Sequence, residues 1–198
     1  SCAKRTRAYV LDLVRQYPHI DFYYLSGNHD EGEVGFTDTK TPLPENLHTF
    51  GSEWQAYSIG NVSIFGCTDP AGKETYDALS PDPARVNIVM LHGQEYESDT
   101  RYDAGINLRA LQNKNIDYLA LGHIHSYRIE SLDARGVWCY AGCPEGRGFD
   151  ECGNKGFVML DVDEEGKIGA QFVSLARRKC HVFAVDVSAC YSLLSLEQ

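Results

Sequence analysis

Tyr118-Leu119-Ala120-Leu121-Gly122-His123-Ile124-His125 is an apolar, strand-sized run that stops on a glycine and then presents two histidines. Short apolar runs bounded by turn residues read as buried strands, so these histidines belong to the edge of a sheet rather than to its core. Two other segments share the design. Phe22-Tyr23-Tyr24-Leu25 leads into Ser26-Gly27-Asn28-His29-Asp30, and Val86-Asn87-Ile88-Val89-Met90-Leu91 leads into His92-Gly93. Three strands therefore aim metal-ligating or acid/base side chains at one edge, which is how a hydrolytic metal centre is built.

Working outward, residues 3–17 carry Ala8, Val10, Leu11, Val14 and Tyr17 at helical spacing, and Pro18 stops the run. A helix followed by the strand at 21–25 is half of a βαβ unit. The strand that should precede the helix is missing, and the chain is expected to start inside a fold. Residues 31–53, polar and containing Pro42 and Pro44, read as a surface loop. The runs 54–59 and 62–66 flank Gly60-Asn61, a hairpin signal, and 69–84 reads as a connection. The nearly continuous apolar strand 86–91 requires neighbours on both faces. Residues 94–106 read as a loop, after which Asn107 caps a short helix through Leu108 and Leu111 and 117–121 forms the next strand. Two hairpins follow, 127–132 with 137–140 and 157–162 with 168–174. Helix-strand units in the middle and hairpins elsewhere predict two packed sheets with helices outside.

Composition limits the alternatives. With 43% apolar content over 198 residues, the chain can bury one sizeable core. No apolar run approaches the ~20 residues of a membrane span, and Ser1-Cys2-Ala3-Lys4-Arg5 lacks a signal-peptide core. Seven scattered cysteines, an odd number, read as free thiols in a reducing compartment, so a cytoplasmic location and no membrane partner are expected. A net charge of -10 removes any global basic field for nucleic acid. The basic clusters Lys4-Arg5-Thr6-Arg7 and Arg177-Arg178-Lys179 read as solvated faces. A DNA substrate would have to be attracted by local features or by partners.

Asn28, His92, His123 and His125 offer neutral oxygen and imidazole donors of the kind that suit Mn, Fe, Zn or Ni. In an extended strand His123 and His125 point to the same side, which allows two adjacent ions, although a structural histidine couple fits the same spacing. His29 is placed to act as an acid or electrostatic donor to a leaving oxygen, or to orient its neighbours. Asp30 is the one obvious carboxylate in these segments. Arg147 lies in the Gly-rich run 140–149, where it either approaches a substrate phosphate or stands as a surface arginine. Cys139, Cys143 and Cys152 lie close in sequence without the paired spacing of a zinc site.

Gly27-Asn28-His29-Asp30, His92-Gly93 and Gly122-His123-Ile124-His125 resemble, in order and placement, the third, fourth and fifth motifs of the calcineurin-like metallophosphoesterase superfamily. The run 140–149 and the segment 177–187 are similar to the nuclease subunit (SbcD type) of bacterial double-strand-break repair exonucleases. The resemblance implies a four-layer α/β/β/α sandwich of two mixed sheets, with residues 1–176 as a partial core and 177–198 as the start of a capping domain or C-terminal extension. It implies a phosphodiester hydrolase, in which Asn28, His92 and His123 hold one metal, His125 serves the other and His29 is catalytic. Two divalent ions, Mn2+ first and Fe, Zn or Ni as alternatives, activate the attacking water in the intact protein. DNA is the implied substrate, with cyclic nucleotides or small phosphodiesters as the alternative and a non-catalytic scaffold as a further one. An SMC-like ATPase is the implied partner subunit, and a homodimer is compatible. The superfamily's first two motifs, which carry the bridging aspartate, are absent from these residues. The chain is therefore expected to be an N-terminally truncated fragment that holds at most one weakly bound ion, with impaired activity.

Overall fold

A computed structural model describes residues 2–30, 36, 42–102 and 105–188. It opens on α1 (Cys2–Gln16), β1 (Phe22–Tyr24) and β2 (Leu47–Thr49), followed by β3 (Gln55–Ile59), β4 (Val62–Gly66) and α2 (Lys73–Ala78). The middle of the chain forms β5 (Val86–His92), β6 (Glu95–Tyr96), β7 (Ile106–Asn107), α3 (Leu108–Leu111) and β8 (Tyr118–Gly122). It ends in β9 (Arg128–Ser131), β10 (Val137–Tyr140), β11 (Gly156–Val162) and β12 (Ile168–Ser174). Among the described residues six strands form one mixed sheet in the order β3-β4-β5-β8-β10-β9. Its four inner strands, β4, β5, β8 and β10, run parallel, and the two outer ones are antiparallel to their neighbours. This is the expected mixed α/β architecture. The remaining strands pair as β1-β2, β6-β7 and β11-β12.

Alternation along β5 and β8 sends Val89, Leu91, Leu119 and Leu121 into the main core, where they meet Tyr76 of α2, Ile106 of β7 and Leu111 of α3. The opposite face is only half covered. Ile88, Met90 and Ala120 are partly exposed, and a hollow of about 190 Å3 lies against Leu25, Met90, His92, Ala120 and Gly122. The expectation that both faces of β5 are buried is corrected accordingly.

A smaller cluster joins Leu11 and Val14 of α1 to Phe36 and Leu47, with Phe22 and Tyr24 of β1 beside them. The reading of 31–53 as a surface loop fails here, because 47–49 is a strand parallel to β1 and Leu47 and Phe50 are buried. The Asn46 amide also lies 3.0 Å from the Tyr17 carbonyl and 2.9 Å from that of Ile20, satisfying groups left open where α1 ends. Three residues after Pro44 are too few to show a strand period. For the same reason the connection 69–84 hid α2, and the loop 94–106 hid β6 and the start of β7. Asn107 does precede α3, but its side chain makes no helix cap. Its amide instead donates to the Ser98 and Arg101 carbonyls at 2.8 and 2.9 Å.

The N-terminal ends of the parallel strands are tied by a polar network. Arg135 donates to both Asp117 carboxylate oxygens at 2.9 Å, and Asp117 accepts the buried Asn87 amide at 2.8 Å. Gly136, entering β10, is packed so closely that an added Cβ would lie 2.0 Å from the Ile116 carbonyl oxygen. Backbone cannot swing away as a side chain tip does. Gly136→Ala is therefore expected to lower unfolding free energy by at least about 2 kcal/mol, read from chemical denaturation. An unchanged midpoint would contradict this packing.

Candidate metal centre

Because β5 and β8 are parallel and paired with His92 opposite Gly122, both strands release their chains at the same edge. This carboxyl edge is where open α/β sheets carry their ligands. The Gly93 amide donates to the Gly122 carbonyl at 3.3 Å, extending the register one step beyond the strands. From the other side, the turn after β1 brings Asn28 Oδ1 to 3.0 Å from His92 Nε2. His123 lies edge-on to His92, with ring centroids 5.3 Å apart. Three donors expected from sequence, Asn28, His92 and His123, are thus brought together.

Two glycines make room for the His92 ring. A Cβ on Gly27 would stand 2.6 Å from its Cε1, and one on Gly122 would stand 2.7 Å from its Nδ1. The glycines that open the first and third segments are therefore part of the centre's shape.

His123 adopts a φ of 101°, a left-handed conformation that non-glycine residues avoid. Such strain costs on the order of 1–3 kcal/mol and persists where surrounding structure imposes it. It also corrects the alternation argument: the strand ends at Gly122, so His123 and His125 are not placed by a strand's period of two.

Burial pushes the His92 imidazole below its ordinary value of 6.5, helped by His123, His29 and His125 and opposed by Asp30. The folded chain resists a proton that the unfolded chain accepts, so this contribution to stability is intact above pH 6.5 and lost as the pH falls below it. In a histidine NMR titration of the metal-free protein, the His92 midpoint is expected below 6.5. A midpoint at or above that value would contradict the packing described. A neutral ring is the form that ligates metal.

Asp30 does not stand free to bridge ions. Its Oδ2 accepts the Gly27 amide at 2.9 Å, and the Tyr24 hydroxyl donates to the carboxylate. Burial and this carboxylate push the Tyr24 phenol up to about 12. The carboxylate closes the turn that carries Asn28 and the exposed His29.

His125 is held differently. Its Nδ1 pairs with Glu151 Oε1 at 2.5 Å, and its carbonyl accepts the Lys155 ammonium at 2.6 Å. Lys155 is only 2% exposed. Glu151 Oε2 accepts the Arg147 amide at 2.6 Å, and these bonds hold the carboxyl below the usual carboxylate range. The Arg147 side chain is exposed and lines a cleft of about 240 Å3 with Phe149, Glu151 and Arg178. Sequence reasoning passed over Glu151 and Lys155, which lie 26 and 30 residues from His125 and share no spacing motif with it.

The sequence pattern of the calcineurin-like phosphoesterase family matches residues 4–127, which contain all three strand-end segments. This chain belongs to the calcineurin-like phosphoesterase family. An uncharacterized metallophosphoesterase of Bacillus subtilis (strain 168), YhaO, is 30% identical over 191 residues, covering 90% of this chain and 46% of that protein. The chain thus spans about half the length of this curated relative. The crystal structure of the Thermus thermophilus protein TT1561 is similar in fold, with a TM-score of 0.52 at 12% identity over 85% of this chain and 79% of that one.

Calcineurin-like phosphoesterases are metal-dependent phosphoester hydrolases that bind divalent ions. The donors here fit such an ion: an amide oxygen 3.0 Å from an imidazole nitrogen, a second imidazole beside them, and burial that favours the neutral form of His92. No helix among the described residues is long and apolar enough to cross a membrane.

Proposed function

We propose that the protein is a phosphodiesterase core acting on DNA, of the repair-nuclease (SbcD) type, using Mn2+. The observation that carries this reading is the convergence of Asn28, His92 and His123 at one strand edge. Asn28, His92 and His123 would hold one ion, and His125 would serve a second. A bound divalent ion supplies Lewis-acid stabilisation of phosphoryl charge and acidifies water. His29, exposed beside Asn28, assists the departing oxygen by donating a proton or hydrogen bond. Arg147 faces a cleft whose second guanidinium, Arg178, and exposed Phe149 ring suit a phosphate and a base.

In the same reading, residues 1–176 belong to the catalytic core, and 177–198 start a capping domain or a C-terminal extension. Arg177 and Arg178 amides are held by the Glu145 carboxylate, which fixes the start of that segment on the core. An SMC-like ATPase partner belongs to this proposal.

The net charge of -10 favours a second reading, a cyclic nucleotide or small phosphodiester as substrate. The full-length protein, supplied with Mn2+, is expected to shorten linear duplex DNA. Hydrolysis of small chromogenic diesters without any shortening of duplex would select the second reading. Failure on both substrates would leave a scaffold that keeps the fold.

A further inference from the structure

We propose that His125, Cys143 and Glu151 form a second cation site, selective for zinc-class ions, which competes with the proposed catalytic centre for the His125 ring. His125 Nδ1 or Nε2, Cys143 Sγ and a Glu151 carboxylate oxygen lie within 4.8 Å of one another. A nitrogen, a sulfur and an oxygen ligand, with a fourth position open, are a zinc donor set. The thiolate and carboxylate bring two negative charges to a divalent ion, whereas Asn28, His92 and His123 bring none. Sulfur also discriminates against Mn2+ and Mg2+ in favour of zinc.

Each ligand is anchored independently of any ion. The Lys155 ammonium fixes the His125 carbonyl at 2.6 Å, the Gly156 amide fixes the Cys143 carbonyl at 2.9 Å, and the Arg147 amide holds the second Glu151 oxygen at 2.6 Å. The Cys143 thiol already points at the His125 carbonyl, 3.6 Å away. Lys155 opposes a cation nearby, but with one charge against the two anionic ligands. Of the three cysteines grouped in the sequence, Cys139 is buried beside the Tyr118 hydroxyl and Cys152 donates to the Phe149 carbonyl. Cys143 alone joins the cluster.

The protons account for the competition. An ion entering at Nδ1 displaces the hydrogen bond to Glu151, and the neutral ring then carries its one proton on Nε2. The Cys143 thiol proton leaves to solvent. With Nε2 protonated, His125 is no longer a ligand for the centre that the phosphodiesterase reading assigns it to. The inhibitory effect rests on that reading, while the site itself does not.

The test is titration of the metal-free full chain with Co2+, a spectroscopic substitute for zinc. One equivalent is expected to give a thiolate-to-cobalt charge-transfer band that zinc abolishes. The band should vanish in Cys143→Ser, persist in Cys152→Ser, and need at least about tenfold more cobalt in Glu151→Gln. Cys143→Ala replaces the serine variant if circular dichroism shows the latter misfolded. No band in the wild type, or a band surviving in the Cys143 variant, would overturn the site. In the Mn2+ assay, zinc should inhibit the wild type at concentrations at least about tenfold below those needed for Cys143→Ser. Equal inhibition would overturn the competition. A wild type with no hydrolytic activity would instead count against the phosphodiesterase reading, with the cobalt band still deciding the site.

Discussion

His92→Ala is expected to lower Mn2+ affinity and metal-dependent phosphodiester hydrolysis by at least about 100-fold. Loss of an outer partner of a metal ligand already costs ~10–100-fold, and His92 is a proposed ligand itself. It lies 3.0 Å from Asn28 and edge-on to His123, with Gly27 and Gly122 shaped around its ring. His92→Gln keeps a polar group of similar reach and separates loss of the ligand from loss of packing. Isothermal titration with Mn2+ reads affinity, and circular dichroism reads the fold. Unchanged Mn2+ affinity in a folded His92→Ala variant would remove this residue from the centre.

Gly122→Ala and Gly27→Ala are expected to fold nearly normally but to bind Mn2+ about 10–100-fold more weakly. The added methyl would meet His92 ring atoms at 2.7 Å in one case and 2.6 Å in the other. The obstruction is a side chain, which can rotate, so strain is relieved by moving the ring off Asn28. Stability changes little, and geometry is lost. Gly136→Ala gives the opposite pattern, because its Cβ meets a carbonyl of the backbone at 2.0 Å. Its metal affinity should survive in whatever fraction remains folded. If Gly122→Ala bound Mn2+ normally, the ring's position would not matter to the site.

The sequence displayed the parts of this fold that have a long period or a sharp boundary. β5 and β8 are apolar runs ended by His92 and Gly122, and the β3-β4 hairpin is flagged by Gly60-Asn61. The three-residue β2 and the two-residue β6 and β7 were invisible, because strands this short show no period of two and are defined only by register with a partner. At the centre, Asn28, His92 and His123 were legible because each lies at or beyond the end of a strand. The roles of their neighbours were not. Asp30 is a natural candidate for a metal carboxylate until its bonds to Gly27 and Tyr24 are seen. Glu151 gives no local sign of meeting His125, because the contact is made by a loop folding back across 26 residues. The glycines beside Asn28 and His123 read as turn residues, whereas their neighbours show that they clear space for a ring.

The central claim is that Asn28, His92 and His123 together hold a divalent ion. Anomalous diffraction from crystals soaked in Mn2+ tests it most directly. The account predicts a manganese peak at coordination distance, about 2.0–2.3 Å, from Asn28 Oδ1 and the two imidazoles, as for oxygen and nitrogen ligands of divalent ions. Manganese bound elsewhere on the chain, with none between these three side chains, would contradict it.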